Sequence, residues 1–288
     1  MTENPELAVI GGTGLYNLHG LTDIITTHPD TPFGKASAPI TIGKLAGKTV
    51  AFLARHGEGH QYNPSEINYR ANIFSLKILG VRKVISISAC GSLREDFSPG
   101  QIVIPDQLFD FTRDRKRTFF EGGCVAHVGS ANPFCDAMRL IVLDAFHSTE
   151  AVVHSNGTLI TIEGPRFSTR AESNLFRSWG MSIIGMTACP EAFLAREAEM
   201  CYVSIAHVTD YDVWHFSEEP VNVEMVVRIL LQSTKIAQES LLSIAKDPRL
   251  SGVCGCESTL KDAVITHPDA ISDQAHDKLK LLFRKYNY

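Results

Sequence analysis

Leu7-Ala8-Val9-Ile10-Gly11-Gly12-Thr13-Gly14 is the stretch that decides the fold class. Four consecutive apolar residues read as a short buried strand. The glycines behind them let the backbone turn sharply and bring its N–H groups close to an anion, and Thr13 adds a hydroxyl donor. No Gly-Lys-Ser/Thr follows, so this is not a P-loop. Asn17 stands where a dinucleotide fingerprint has its third glycine. On this stretch alone, a tight turn and a phosphate cradle both stay open.

Working outward, the same design recurs. Residues 49–53 form a strand that runs into Ala54-Arg55-His56-Gly57. Residues 83–88 run into a turn at Ala89-Cys90-Gly91-Ser92, and residues 200–208 run into Thr209-Asp210-Tyr211-Asp212. Residues 101–104 and 158–162 read as further strands. Helical spacing is found over 67–79, 131–146, 170–179, 221–244 and 273–284. Strands alternating with helices predict an α/β fold with a largely buried sheet. In such sheets ligands bind where strands end, so these polar turns are expected to converge.

Composition bounds the function. The chain has 288 residues, 44% of them hydrophobic and 20% charged, with 27 Lys+Arg against 32 Asp+Glu, a net charge of −5. A mildly acidic chain lacks the basic face of a nucleic-acid binder. No apolar run approaches the ~20 residues of a membrane span, and Met1-Thr2-Glu3-Asn4-Pro5 lacks the basic start of a signal peptide. The expected location is the cytoplasm, which suits seven scattered cysteines.

Each polar turn has a chemical and a plain reading. Arg55 offers a planar fork for two phosphate oxygens and His56 a further donor; alternatively Arg55 pairs with a carboxylate. His56 and His60 flank Glu58, but Gly57 and Gly59 oppose the helix a metal site would need, so no metal is expected there. Ser88 and Ala89 are small enough for close approach of a ligand. Cys90 reads as buried filler rather than a nucleophile, having no base nearby in sequence. In Glu163-Gly164-Pro165-Arg166-Phe167-Ser168, Phe167 stacks on a planar ring or packs in the core. Asp210 and Asp212 follow an apolar strand, where desolvation raises a carboxyl pKa and suits it to proton donation; capping is the plain alternative. Cys254-Gly255-Cys256 reads as two reduced thiols, with a strained disulfide as the other choice, and a full zinc site needs more ligands than this segment holds.

Taken in order, Gly11-Gly12-Thr13-Gly14, Asp30-Thr31-Pro32-Phe33-Gly34, Ala54-Arg55-His56-Gly57, Asn68-Tyr69-Arg70-Ala71-Asn72, Ala89-Cys90-Gly91-Ser92-Leu93, Glu163-Gly164-Pro165-Arg166-Phe167 and Thr209-Asp210-Tyr211-Asp212 resemble the trimeric purine nucleoside phosphorylases. The resemblance covers roughly residues 7–245. It implies a single α/β domain over residues 1–250, built on a mixed central β-sheet flanked by helices. Residues 251–288 are then a helical extension packed on the same domain. It also implies a homotrimer, a nucleoside and inorganic phosphate as the small-molecule partners, and no metal or organic cofactor.

Roles carried over by the resemblance place Thr13, Arg55, His56, Ser88, Ala89 and Thr187 at phosphate. Phe167, Met186, Gly91, Gly185, Asp210 and Asp212 would surround the nucleoside, with Ser168 joining the two aspartates in the chemistry. His127 would reach the 5′-substituent in a neighbouring subunit, and Val223, Val226 and Val227 would line that substituent's pocket, although the same spacing marks any core-facing helix. The 6-oxopurine members carry Glu and Asn where Ser168 and Asp210 stand here. Adenine presents an amino donor beside the N7 acceptor, which one carboxyl group can satisfy. The expected reaction is phosphorolysis of 5′-methylthioadenosine, in purine and methionine salvage. Gly185 is the residue 6-oxopurine relatives carry, which keeps a 6-oxopurine or 5′-methylthioinosine substrate as the alternative. A hydrolytic nucleosidase and a non-catalytic nucleoside-binding protein are the rivals from other classes. Finally, cysteine pairs spaced like Cys254 and Cys256 are similar to those of heat-stable members with disulfides.

Overall fold

The computed structural model describes residues 4–12, 20–215, 223–286 and 288, and for 223–234 the backbone alone. Strand β1 (Leu7–Gly11) is buried throughout. Its Ala8 and Ile10 enter one apolar cluster while Leu7 and Val9 enter another, as the period of two in a strand requires. Apolar residues in unbroken sequence therefore mean a strand covered on both faces. The first cluster is closed by α1 (Tyr69–Ile78), α4 (Ala188–Glu197) and α6 (Asp273–Phe283). The second is closed by α2 (Asp136–Phe146) and α5 (Val223–Lys246). The result is a three-layer α/β/α arrangement.

The sheet is mixed and eleven-stranded among the described residues. β1 lies between β4 (Lys48–Ala54) and β5 (Lys83–Ser92), parallel to both. Beyond β4 come β3 (Ile40–Leu45) and β2 (Leu21–Thr27), each antiparallel to its neighbour. β5 also pairs in parallel with β11 (Cys201–Asp210), all ten residues of which are buried. β10 (Ile183–Gly185) runs antiparallel to the end of β5 and parallel to β9 (Thr158–Ile162), which pairs with β7 (Gln107–Phe111). Two short strands, β6 (Ile102–Val103) and β8 (Val153–His154), extend the β11 side.

Several sequence expectations are corrected here. Residues 89–92 are not a turn: β5 continues to Ser92, because β10 and β11 supply partners on its two edges. The helix expected over 131–146 begins only at Asp136, behind Cys135 as N-cap. Helix α3 (Arg170–Ser178) starts where expected, fixed by a capping box between Thr169 and Glu172. The extension beyond residue 250 contributes Leu260, Leu279, Leu282 and Phe283 to the first cluster, so it shares the core of the preceding chain.

Candidate active site

The site forms where β5 changes partner. On one edge β5 pairs with β1 as far as Ile10↔Ser86 and then with β10 from Gly91↔Ile184. Among the described residues, none pairs with residues 87–90 on that edge in between. Ser88 and Ala89 lie in this split and are the half-buried positions in an otherwise buried strand. Gly185 sits across the split, where an added Cβ would lie 4.0 Å from the Ala89 carbonyl oxygen and 3.5 Å from Leu159.

Arg55 holds the split open. Its Nε and an Nη donate to the two Glu191 oxygens at 2.7 and 2.9 Å, and its remaining donors reach Ser86 Oγ at 2.7 Å and the carbonyls of Ile10 and Ile87 at 3.3 Å each. Both partners are fully buried. The Arg55 fork is thus engaged by Glu191. An unpaired Glu191 carboxylate at this depth would be prohibitive, so the guanidinium turns inward. His56 Nδ1 lies 2.9 Å from Tyr62 O. A carbonyl only accepts, so Nδ1 carries the proton and Nε2 presents a lone pair. Burial, aided by the Arg55 charge, pushes His56 down to about 4, so the ring is neutral at pH 7. Thr187 is the N-cap of α4, buried, with a hydroxyl not used in capping. Thr13 lies outside the described residues.

On the other edge of β5, β11 is bulged: Val208 pairs with Cys90 and Asp210 with Gly91, leaving Thr209 as the extra residue. Bulges re-aim side chains beside functional sites. Asp210 is buried; its Oδ2 accepts from Thr209 Oγ1 at 2.6 Å and its Oδ1 from the Asp212 N–H at 2.8 Å. Burial raises its pKa against those two hydrogen bonds. Asp212, buried and held in the left-handed region at φ 51°, is pushed up to about 6 by burial, with the Asp210 charge adding to the effect. Among the described residues, Asp212 Oδ2 and Ser168 Oγ are buried without a hydrogen-bond partner, and buried polar atoms of this kind call for an explanation such as a bound ligand. A Cβ on Gly91 would meet Asp210 Oδ1 at 2.9 Å and Asp212 Cβ at 3.2 Å, so only glycine admits the pair here.

Ser168 borders a cavity of about 250 Å³ lined by Phe111, Ile162, Glu163, Arg166 and Phe176 among others. Phe167 is 41% exposed, so it is not a core residue. Met186 is half-buried and packs on the Ile160–Ile184–Trp214 cluster. His127 is exposed, on a segment tied to the C-terminal extension by His127 N–H to Ala263 O at 2.8 Å. The side chains of Val223, Val226 and Val227 lie outside the described residues. Cys90 is fully buried, with its thiol pushed up by burial, and acts as filler.

Two organising residues escaped sequence reading. Glu191 is one. Arg115 is the other: its guanidinium donates to Met186 O at 2.7 Å, Cys189 O at 2.6 Å and Glu163 O at 2.6 Å, tying the end of β9 to the start of α4. It also pairs with Glu163. Against the upward push of partial burial, the Arg113 N–H, Ser65 and Arg115 hold Glu163 down at about 2. In sequence Arg115 sits inside Arg113-Asp114-Arg115-Lys116-Arg117 and looks like part of a solvated charge run.

A change of partner along β5 and a buried carboxyl pair on the adjacent strand end, on a doubly covered mixed sheet, place polar groups where an α/β sheet binds small ligands. The chain belongs to the phosphorylase superfamily, whose family model matches residues 6–245. It is 47% identical over 285 residues, 98% of this chain and 96% of the relative, to the S-methyl-5′-thioadenosine phosphorylase of Koribacter versatilis. It is 48% identical to that of Hyperthermus butylicus over 266 residues, 90% of this chain and 96% of the relative. Among solved structures, a methylthioadenosine phosphorylase from an antarctic soil metagenomic library superimposes with TM-score 0.92 at 41% identity, covering 97% of this chain and 99% of that one. A mutant adenosine/methylthioadenosine phosphorylase of Schistosoma mansoni, in complex with methylthioadenosine, superimposes with TM-score 0.79 at 37% identity, covering 84% and 90%.

Proposed function

We propose that the protein catalyses phosphorolysis of S-methyl-5′-thioadenosine to adenine and 5-methylthioribose 1-phosphate. The observation that carries this reading is the buried Asp210–Asp212 pair at the end of β11, the strand that pairs with β5 along the Ser88–Ala89 split. The C1′–N9 bond breaks as a phosphate oxygen bonds to C1′, through a transition state with positive charge on the sugar. Phosphate lies in the split, against Ser88, Ala89 and Thr187, where its charge stabilises that cation. The neutral His56 accepts from the P–OH of the hydrogen phosphate dianion. Asp210 delivers a proton to N7 of the departing base and accepts from the 6-amino group. Asp212 holds Asp210 in place through its N–H, and a charge on either carboxyl makes ionisation of the other costlier. Phe167 and Met186 cover base and ribose.

The oligomer we propose is a homotrimer in which the exposed His127 reaches the 5′-substituent of a neighbour. No helix among the described residues is long and apolar enough to cross a membrane, and a cytoplasmic setting suits the free thiols. No organic cofactor enters the reaction; phosphate is a co-substrate.

The test is incubation with 5′-methylthioadenosine and with 5′-methylthioinosine, each with and without phosphate, followed by chromatography of the free base. Adenine released only with phosphate supports the reading. Preferential hypoxanthine release would transfer the base assignment to Gly185, and release without phosphate would make the protein a hydrolase.

A further inference from the structure

At the other end of β11 from Asp210, the fold gathers four cysteines that lie far apart in sequence. Cys135 is the N-cap of α2, Cys201 opens β11, and Cys254 and Cys256 flank Gly255 in the extension. Their sulfurs all lie within 4.8 Å of one another. Cys254 Sγ is 3.1 Å from Cys201 Sγ and 3.6 Å from Cys135 Sγ. Cys135, Cys201 and Cys256 are buried and Cys254 half-buried.

We infer that these four cysteines form a structural zinc site that clamps the C-terminal extension to the domain. Four thiolates around zinc at the usual bond length of about 2.3 Å stand about 3.8 Å apart, so a cluster of this size closes on the ion with sub-ångström adjustments. An all-sulfur tetrahedral set selects zinc over hard cations. The surroundings are built for thiolates. The Cys256 N–H points at Cys254 Sγ at 3.3 Å, and an Arg196 Nη lies 3.6 Å from Cys256 Sγ. Lys83, buried and paired in register with Cys201, donates to the Gly252 carbonyl at 2.9 Å. When Zn²⁺ binds, four S–H protons leave and four Zn–S bonds form, giving a unit of charge −2. Lys83 and Arg196 supply positive charge on its border.

The role is structural because of distance. Nine strand steps at about 3.3 Å separate Cys201 from Asp210, about 30 Å. The site instead joins α2, β11 and the extension, closing chain loops of 119 and 53 residues, where a crosslink restricts the unfolded chain strongly. Sequence alone offered only the Cys-Gly-Cys half of the set; the sheet and α2 bring the other half.

The experiment uses the full chain, purified under reductant, with metal content measured as isolated and after chelation and re-addition of Zn²⁺. Co²⁺ is then added to the stripped protein. The expected result is one zinc per chain and, with Co²⁺, a thiolate charge-transfer band with the visible bands of a tetrahedral site. Stripping should lower Tm by ~5 °C or more. Both metal signals should vanish in Cys254→Ser/Cys256→Ser, while Cys124→Ser retains them. Should the double variant not fold, the Co²⁺ spectrum of the unmodified chain still decides. Stripped, reduced protein that takes up neither Zn²⁺ nor Co²⁺ would overturn the inference. So would two disulfides in the isolated protein together with no metal uptake after reduction.

Discussion

Arg55 and Glu191 form a two-pronged ion pair, 2.7 and 2.9 Å, in which neither side chain is more than 1% exposed. The same guanidinium donates to the carbonyls of Ile10 and Ile87, so the pair ties the end of β1 to the start of the split in β5. Removing one member strands a buried charge. Arg55→Ala and Glu191→Ala should each cost about 3–5 kcal/mol in stability. Arg55→Lys keeps the charge but loses the fork; in whatever fraction folds, KM for phosphate should rise about tenfold or more. Urea unfolding and phosphate-dependent kinetics check both, and near-native stability of Arg55→Ala would refute the architectural role.

Asp210→Asn preserves shape and removes the transferable proton. Turnover should fall by about 10²–10⁴, while equilibrium binding of 5′-methylthioadenosine, measured by calorimetry, changes only a few-fold. Equal loss of binding and turnover would make Asp210 a binding group alone.

The Asp212 carboxyl, at about 6 when folded, lies above the unfolded value near 3.9. The folded state therefore prefers the protonated form. The stabilising preference is complete below pH ~4 and is lost as pH rises through ~6. Replacing Asp212 by Asn removes that penalty. The variant should be more stable than the parent at pH 7–8, by about 1–3 kcal/mol, with the difference fading towards pH 4. Denaturant unfolding of both proteins across this range tests the sign. The parent's turnover should also decline on the alkaline side as the pair loses its proton.

Gly91→Ala places a methyl group 2.9 Å from Asp210 Oδ1 and 3.0 Å from Ile184 Cγ2. The backbone here is ordinary strand, so the fault is crowding, not conformation. Turnover should drop about tenfold or more with a stability loss of about 1–3 kcal/mol. Gly185→Asn, by contrast, meets nothing closer than 3.5 Å at its Cβ and should fold normally. Comparing hypoxanthine and adenine release by that variant tests whether residue 185 affects base choice.

The sequence by itself determined much of this protein: the doubly buried strands, from unbroken apolar runs such as Leu7–Ile10; the start of α3, from a local capping box; and the polar segments at strand ends, from residue type. These rest on interactions within a few residues. The tertiary structure alone decided what those segments do. Ala89–Ser92 looked like a turn and became strand because β10 and β11 arrive from some 90 and 120 residues away with hydrogen-bond partners. Arg55 stood near Glu58 in sequence, but its fork is taken by Glu191, 136 residues on. Arg115 and the cysteine cluster were unreadable for the same reason. The charge of a side chain is local, but its partner and its burial are properties of the packed chain.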